Sequence, residues 1–563
     1  MIIIDTRNPI VFNNNNFNAV YKKHYVYSRE IYKDLFGEFL DVASQTDYFV
    51  NLSLTAFGNP KYSSCYKEFC IFLTINELLL NQSSPIKVIT DSYPLYKILQ
   101  NSNNLKTVFI KKSFFSRFGI FYKENLTKIN LLIKVLLQKL VISIYFRRVD
   151  LGNFDYVFET FVAEKYSHER FYPNIKSFLE HEDWDKTLFL PILIDIRLWN
   201  LPTVIKKLKL SNNSWLFREH YLTVANIFKA IFYKPRVKKL SKVIDYTGVN
   251  FWNFFEESLN QEKFSTFRIE GILNVLFLEQ LKYFGDQLPR VFIDWWENSP
   301  IDKGMFFGIK KYFATTIHKA YLGYYPDLNS IQLSKYKSKF SDFYPEHLLI
   351  PGSFLFKFFR SNYPEAYIKA SPSFRRLEFK QTNSTLKNNN DNDVLVILPI
   401  YEESSLLIID CIELLKSKKL IKGAIYKIHP SSYKKNILRK ILSHRDSKII
   451  DDKDLSDSIL SVNNIICGQS SLVIQLILLG RRPLLINDDP FYPLRMIEDI
   501  EDTICKCVEI YDFKRSLKDI SQFFRSNQDK INTEISLERY YQEPSMNNVK
   551  TIILSYELND EPV

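Results

Sequence analysis

The stretch that decides the fold of this chain is residues 464–480, NIICGQSSLVIQLILLG. It predicts a short buried strand, a turn of small polar residues, and a helix that ends at Gly480. The turn places the hydroxyls of Ser470 and Ser471 beside the free N–H groups of a helix start, and Gly468 lets the backbone approach a ligand closely. Such a turn at the end of a strand favours an anionic group, for example a nucleotide phosphate. The alternative is that serine only caps the helix.

A second turn of the same kind lies upstream, in residues 426–432, YKIHPSS. His429 ends a predicted strand, and the following proline holds it in an extended conformation. We interpret His429 as a ligand of a nucleotide phosphate or ribose, with Lys427 adding positive charge; the alternative is a histidine that bonds a neighbouring backbone group. The two turns together predict a nucleotide-sugar site made of Lys427, His429, Pro430, Ser431, Gly468, Gln469, Ser470 and Ser471.

Apolar strands alternate with helices after a polar stretch, Asn383–Asp393, which we interpret as a linker. This alternation is typical of a parallel, doubly wound sheet. The preceding residues contain less regular strand candidates and predict a second α/β domain with helical insertions. The fold class is therefore α/β, with two Rossmann-type domains facing a central cleft. The expected boundaries are residues 1–385, residues 393–530, and a tail, residues 531–563, that packs back on the first domain.

Bulk composition narrows the function classes. The chain has 563 residues, with 75 Lys and Arg against 63 Asp and Glu, and a net charge of +12. This charge suits nucleic acid, anionic lipid or a phosphorylated substrate, and the absence of a nucleic-acid motif disfavours the first. Six scattered cysteines indicate a reducing compartment without a disulfide framework. The eight scattered histidines show no metal-ligand spacing, so no metal site is predicted.

Residues 129–148 predict an amphipathic helix that packs one face on a core, or alternatively a basic patch that rests on an anionic membrane. No signal peptide is recognisable, and no window of 18 or more uninterrupted apolar residues occurs. We expect a cytoplasmic protein, with a peripheral contact at the inner face of the membrane as a weaker prediction.

A third candidate segment is residues 291–304, VFIDWWENSPIDKG. A strand runs into two carboxylates, an amide and two indoles. A carboxylate flanked by aromatic rings acts readily as an acid, a base or a nucleophile. Glu297 is the first catalytic candidate and Asp294 the second; Trp296, Asn298 and Lys303 are candidate substrate contacts. The alternative is a helix start capped by Ser299 or Asp302, with the tryptophans in the core.

These motifs resemble those of a known group of proteins. The Lys-x-His-Pro turn at Lys427–Pro430 and the Ser470-Ser471 helix start look like donor-binding motifs of GT-B enzymes that use CMP-activated acidic sugars, the sialyltransferases and Kdo transferases of bacteria. Residues 296–304 and 345–352 resemble elements of bacterial surface-carbohydrate biosynthesis proteins. The chain departs from that group at Gly323-Tyr324-Tyr325-Pro326, where the group has Gln-His after Gly-Tyr.

The resemblance implies a glycosyltransferase that moves a Kdo- or nonulosonic-acid-type sugar from a CMP donor to a glycan or lipid-linked acceptor. It implies no cofactor beyond that donor substrate. A donor of the CDP-polyol or UDP-sugar type is an alternative within transferases. A third alternative is a non-catalytic binding protein with a GT-B-like fold.

Overall fold

The computed structural model describes most of the chain. The described residues are 2–6, 15–43, 49, 52, 65–81, 85–100, 105–110, 114–164, 168–211, 213–234, 244–246, 249–262, 266–324, 344–374, 390–399, 402–429, 434–444, 446–451, 455–468, 470, 472–487, 505–526 and 541–556. The chain divides into two compact units. Residues 1–323, 331–375 and 538–563 form the first unit, and residues 324–330 and 376–537 form the second.

The first unit begins with a small parallel sheet of three strands in the order β1-β2-β3. Its strands are β1 (Ile2–Asp5), β2 (Ile86–Thr90) and β3 (Leu105–Phe109). Helices connect and follow these strands, at Asn15–Tyr27, Arg29–Ala43, Cys65–Asn81, Tyr93–Leu99 and Phe114–Tyr145. Aromatic side chains pack between these helices. The ring of Tyr32 lies against those of Phe36, Tyr66 and Phe255.

The long helix Phe114–Tyr145 contains the predicted amphipathic segment. Leu131, Val135 and Ile142 are buried in the core, whereas Ile133 and Leu140 are exposed. The prediction of a helix that packs on one face is confirmed. None of the helices in the described ranges combines the length and hydrophobicity needed to cross a bilayer.

A parallel sheet of six strands forms the core of the first unit, in the order β11-β10-β9-β8-β4-β5. A separate two-stranded antiparallel pair, β6 (Asp245–Tyr246) and β7 (Val249–Asn250), lies outside this sheet. The six strands are β4 (Tyr156–Val162), β5 (Thr187–Leu193), β8 (Val291–Trp295), β9 (Ile317–Tyr321), β10 (His347–Ile350) and β11 (Tyr367–Ala370). The helices of this part are His181–Asp185, Leu201–Leu210, Val224–Ile231, Trp252–Glu262, Thr266–Tyr283, Pro300–Tyr312 and Phe356–Asn362.

The helices Thr266–Tyr283 and Pro300–Tyr312 approach each other so closely that only glycine fits at their crossing. A Cβ atom added at Gly304 would lie 2.2 Å from the carbonyl oxygen of Gly271. A Cβ atom added at Gly271 would lie 2.2 Å from the carbonyl oxygen of Pro300. Met305 and Ile309 of the second helix share a core cluster with Phe292 of the sheet.

The end of the chain returns to the first unit. A short helix, Met546–Asn548, continues as a π-helix, Val549–Ile553. Val549 and Ile553 join the core cluster of the six-stranded sheet. The Nζ atom of Lys319, on β9, donates to the carbonyl oxygens of Ile552, Ile553 and Ser555 at 2.9, 3.1 and 2.8 Å. These charge-assisted bonds satisfy carbonyls at the end of the π-helix.

The second unit contains another parallel sheet of six strands, in the order β14-β13-β12-β15-β16-β17. The strands are β12 (Asn390–Ile397), β13 (Gly423–Lys427), β14 (Ser447–Ile450), β15 (Val462–Cys467), β16 (Leu484–Asn487) and β17 (Lys506–Glu509). Helices Glu402–Ser417, Lys434–Leu442, Leu455–Ser461, Leu472–Leu478 and Leu517–Ser526 accompany them. Core clusters lie on both faces of the sheet.

The predicted class, two doubly wound α/β sheets, is confirmed by these two strand orders. The predicted linker was wrong at its end. Asn390–Asp393 belongs to β12, and Asp393 is in register with Gly423 of β13. Strand pairing uses backbone N–H and C=O groups, so polar side chains do not prevent it at the start of a strand. The rest of the linker, residues 383–389, lies outside the described residues.

The glycine crossing gives a prediction about stability. Gly304→Ala forces a methyl group against a backbone carbonyl that cannot rotate away, and overpacking of this kind costs about 1–3 kcal/mol. We expect a fall in the melting temperature of several degrees, measured by calorimetry. The control is Gly152→Ala, where the added Cβ meets only Asp150 Oδ1 at 3.4 Å. Equal melting temperatures for both variants would contradict the proposed close packing.

Candidate functional site

The central strand of the second unit is β12, with β13 on one side and β15 on the other. Numbered along this sheet, the strands run 3-2-1-4-5-6, so the strand order reverses between β12 and β15. Ligands of open α/β sheets bind beyond the carboxyl ends of the strands at such a reversal. Backbone bonds continue past the strands there: the N–H of Gly468 donates to Ile397 O at 3.0 Å, and the N–H of Leu398 to Lys427 O at 2.9 Å.

Gly468 follows β15 and lies directly against the end of β12. A Cβ atom at this position would lie 2.7 Å from Pro399 Cδ and 2.6 Å from Ile408 Cδ1. Only glycine therefore lets the two strand ends meet at this distance. Gly468 is buried, so it would contribute to a binding site through the course of the backbone that it allows, not through surface of its own.

Ser470 caps the helix that follows. Its Oγ accepts the N–H of Leu472 at 3.2 Å, and its carbonyl oxygen accepts the N–H of Val473 at 3.2 Å. The side chain is half-buried, so the capping role is present and part of the residue reaches the surface. Gln469 and Ser471, named with it from the sequence, lie outside the described residues.

His429 follows the end of β13 and is half-buried. Lys427 is buried, and its Nζ atom donates to the carbonyl oxygen of Ile428 at 3.1 Å. Pro430 and Ser431 lie outside the described residues. Because β12 separates β13 from β15, His429 and Ser470 follow strands about 10 Å apart. A ligand lying over the end of β12 would reach both.

In the first unit, the strand order also reverses, between β4 and β8. The segment predicted to carry chemistry follows β8. Glu297 is exposed, and its Oε1 accepts the indole N–H of Trp295 at 3.1 Å. Asn298 is half-buried and adopts the left-handed backbone conformation, with φ at 55°. Asparagine tolerates this conformation better than most residues, which explains its place in a sharp turn.

The other predicted residues of this segment are buried. Asp294 lies within β8, Trp296 packs against the ring of Phe306, and Lys303 points its Nζ atom at the ring of Tyr344, 4.6 Å from the centroid. Burial lowers the pKa of Lys303 to about 7. These three side chains present no surface to a substrate in this conformation, so within the segment the surface is supplied by Glu297 and Asn298.

A capping box at Ser299 and Asp302 starts the helix Pro300–Tyr312. Asp302 Oδ2 accepts the N–H groups of Ser299 and Glu297 at 2.9 and 2.8 Å, and Asp302 Oδ1 accepts the Ser299 hydroxyl at 3.0 Å. The alternative interpretation of this segment, a capped helix start with core tryptophans, is confirmed. The same carboxylate also fixes the backbone of Glu297.

Sequence reasoning missed a cluster of buried carboxylates beneath this turn. Glu159, Asp294 and Asp302 are each 0% exposed, and one oxygen of each lies within 4.8 Å of the others. Burial raises the pKa of Glu159 well above its ordinary value, and the neighbouring Asp294 raises it further. The pKa of Asp302 is raised for the same two reasons. Carboxylate oxygens so arranged hold either protons or a hard cation.

A buried arginine network lies beside this cluster. Arg218 Nη1 donates to Asn274 Oδ1 at 2.6 Å, Arg218 Nε donates to Glu219 Oε1 at 3.3 Å, and Arg218 Nη2 donates to Glu270. A sequence signal for this polar layer existed. Glu159 is the charged residue in a mainly apolar strand, YVFETFV, in which every residue is buried. A charged residue inside a fully buried strand is rare unless it is paired.

Comparison with protein-family models gives no match, and comparison with curated proteins gives none either. Among solved structures, the chain is similar to the UDP-GlcNAc 2-epimerase of Methanocaldococcus jannaschii, at 13% identity over 62% of this chain and 94% of that chain, with a TM-score of 0.37. MurG of Acinetobacter baumannii matches at 10% identity, 70% and 98% coverage, and a TM-score of 0.33. The glycosyltransferase SnogD from Streptomyces nogalater matches at 11% identity, 71% and 99% coverage, and a TM-score of 0.37. Likeness at this level does not distinguish activities, and the fold class rests on the strand orders above.

The contact at Gly468 gives the second prediction. Gly468→Ala should destabilise the second unit because its methyl group collides with Ile408 and Pro399, and Ile408→Val should restore part of the loss by removing Cδ1. We expect a favourable coupling energy of at least about 0.5 kcal/mol in a double-mutant cycle measured by urea unfolding.

The matched control is Gly480→Ala. Gly480 has φ at +69° and an added Cβ would meet nothing within 4 Å, so its cost is backbone strain alone. Ile408→Val should leave that cost unchanged. Equal coupling of Ile408→Val to both glycine variants would rule out the steric account of Gly468.

Proposed function

We propose that the protein is a glycosyltransferase that uses a CMP-activated donor of the Kdo or nonulosonic-acid type and a glycan acceptor of bacterial surface polysaccharide. The observation that carries the proposal is the position of the two turns in the second unit. Both follow strands that flank β12, at the edge where the strand order reverses. The choice of CMP rests on the motif resemblance at Lys427–Pro430 and at Ser470.

In the proposed donor site, the imidazole of His429 bonds the nucleotide phosphate or ribose. The hydroxyl of Ser470 already accepts the N–H of Leu472 and retains its own proton to donate to an oxygen of the donor. Gly468 lets the backbone of the turn approach the donor closely. Pro430, Ser431, Gln469 and Ser471 stay predicted contacts of the same site. No cofactor is proposed beyond the donor substrate.

In the proposed reaction, the acceptor oxygen forms a bond to the anomeric carbon while the bond between that carbon and the CMP phosphate oxygen breaks. CMP leaves with the electron pair, and the acceptor hydroxyl gives up its proton. We assign the proton transfer to Glu297, because it is exposed at the end of β8 and its Oε1 is oriented by Trp295. Asp294 is a poorer candidate because it is buried within the strand. A cytoplasmic location and contact with an anionic membrane stay predictions.

The donor assignment is tested by nucleotide binding. We expect CMP to raise the melting temperature more than UMP, CDP or UDP. A ligand that binds the folded state stabilises it by about 2.7 kcal/mol when its concentration is 100 times its dissociation constant, so the shift should be measurable. His429→Ala should weaken CMP binding roughly tenfold in calorimetric titration, equivalent to about 1.4 kcal/mol.

The matched control is His444→Ala, a half-buried histidine of the same unit whose Nδ1 atom lies 3.3 Å from Glu413 Oε2. It should leave CMP affinity unchanged. A preference for UDP would move the donor to the UDP-sugar alternative. Stabilisation by none of the four nucleotides, or equal affinity in wild type and His429→Ala, would count against the proposed site.

The role of Glu297 is tested by Glu297→Gln. This variant keeps the shape of the side chain and its bond to Trp295 but removes the base, so turnover of the CMP-sugar should fall about 10²–10⁴-fold. Donor affinity should stay unchanged. Glu182→Gln, an exposed carboxylate of the same unit, is the control. Binding of CMP without turnover in the wild type would favour the non-catalytic alternative, and full turnover in Glu297→Gln would remove Glu297 from the chemistry.

A further inference from the structure

We propose that Glu159, Asp294 and Asp302 bind one divalent metal ion inside the first unit, with His318 at the edge of the site. The ion would join the strand pair β4–β8 to the first turn of the helix Pro300–Tyr312. The inference concerns residues that the proposed transfer reaction does not use, apart from Asp294, its weaker catalytic candidate. It stands on the geometry and chemistry of the cluster and does not depend on the identity of the donor.

The sheet register brings the ligands together. Strands β4 and β8 are parallel neighbours, with Val157 opposite Phe292 and Phe158 opposite Ile293. The next pair along this register is Glu159 and Asp294. Alternation along a strand puts these two carboxylates on the same face as Val157 and Phe292, which belong to the core cluster with Met305 of the covering helix. Asp302, in the first turn of that helix, completes the group.

Two of the three acids of the cluster, Glu159 and Asp294, lack compensating hydrogen bonds among the described residues. Within the described part of the chain, all four carboxylate oxygens of Glu159 and Asp294 are buried without a hydrogen-bond partner. Burying a carboxylate without a partner is costly, and buried charges are normally paired or bound to metals. Two other buried carboxylates, Glu219 and Glu270, already share Arg218. The buried cation Lys303 turns its ammonium to the Tyr344 ring.

His318 is an independent sign of a ligand, since it is not part of the acidic cluster. The residue is 9% exposed, and within the described ranges neither ring nitrogen has a hydrogen-bond partner. Its ring is held by stacking on Phe306, with centroids 3.6 Å apart and an angle of 14°. The Nε2 atom points at the cluster and lies 3.6 Å from Asp294 Oδ2.

These separations suit one metal ion. Two ligand atoms bound to the same ion at about 2.1 Å are about 3.0 Å apart at right angles and about 4.2 Å apart on opposite sides. The carboxylate oxygens lie within 4.8 Å of one another, so a small shift of these side chains would bring all three onto one ion. Three carboxylates supply hard oxygen ligands, a set that suits Mn²⁺ and also Mg²⁺.

The ion would act on the neighbouring turn through Asp302. One oxygen of this carboxylate accepts the N–H of Glu297, so a metal bound to Asp302 would fix the backbone of the proposed catalytic residue. Outer contacts of this kind orient a site without touching substrate. The competing explanation is that Glu159 and Asp294 share protons, as close carboxyl groups do, and bind no metal.

The test uses the full-length protein, treated with EDTA and dialysed, and needs no nucleotide. Mn²⁺ is titrated and the free ion is followed by electron paramagnetic resonance; we expect one tight site per chain and a higher melting temperature with Mn²⁺. Glu159→Gln should weaken this binding at least tenfold. Glu365→Gln, an exposed carboxylate of the same unit, should leave it unchanged.

A wild-type chain that binds no Mn²⁺, and equally none of Mg²⁺ or Ca²⁺ by its melting temperature, would overturn the proposal in favour of shared protons. Mn²⁺ affinity that is the same in Glu159→Gln and wild type would also overturn it, because the ion would then occupy another site. If Glu159→Gln does not fold, Asp294→Asn replaces it, with the same expected loss of affinity and the same contradictory result. CMP binding by a metal-free chain would leave the proposed function intact.

Discussion

The first unit depends on the carboxylate of Asp302. This one group accepts the N–H of Ser299, the hydroxyl of Ser299 and the N–H of Glu297, so it starts a helix and shapes the turn after β8 together. It does so while fully buried, close to Asp294 and Glu159. Each of its hydrogen bonds favours the charged form, whereas burial and the neighbouring acids favour the neutral one. The turn that carries Glu297 is thus tied to the charge balance of the interior.

Close helix packing makes this arrangement possible. The crossing at Gly271 and Gly304 brings the helix Pro300–Tyr312 near enough for Asp302 to reach the acids of the sheet. A side chain at either glycine would push the helix outward, and the capping carboxylate would move with it. The backbone of Glu297 is therefore positioned in part by the close contact between these two helices. The helix Pro300–Tyr312 therefore carries both the close glycine contact and the capping carboxylate.

The alternation of apolar strands and helices was predictable because burial on both faces of a parallel sheet demands it. The position of polar turns at strand ends was also predictable, and His429, Gly468 and Ser470 do follow their strands. The start of β12 was not, since Asn390–Asp393 pairs through its backbone while its side chains are typical of a loop. Strand order could not be predicted either, because the lengths of the connections permit several arrangements of the same strands.

Burial of the candidate residues was the main thing that the sequence left open. Trp296 and Lys303 have side chains suited to a sugar site, yet the packing of Phe306 and Tyr344 encloses them. Glu159 lies far from Asp294 in sequence and meets it only because β4 and β8 are neighbours in the sheet. Motif spacing cannot reveal a pair that is made by strand order.

The two six-stranded sheets differ at the point where their strand order reverses. In the second unit, Gly468 lies against the ring of Pro399 at the reversal, and the side chains of His429 and Ser470 reach the surface in part. In the first unit, acids on the two strands of the reversal are covered by a helix and fully enclosed. An enclosed acid cannot contact a substrate directly, but it can set the position of a group that does. The bond from Glu297 N–H to Asp302 is the link through which the buried acids of the first unit would influence chemistry at its surface.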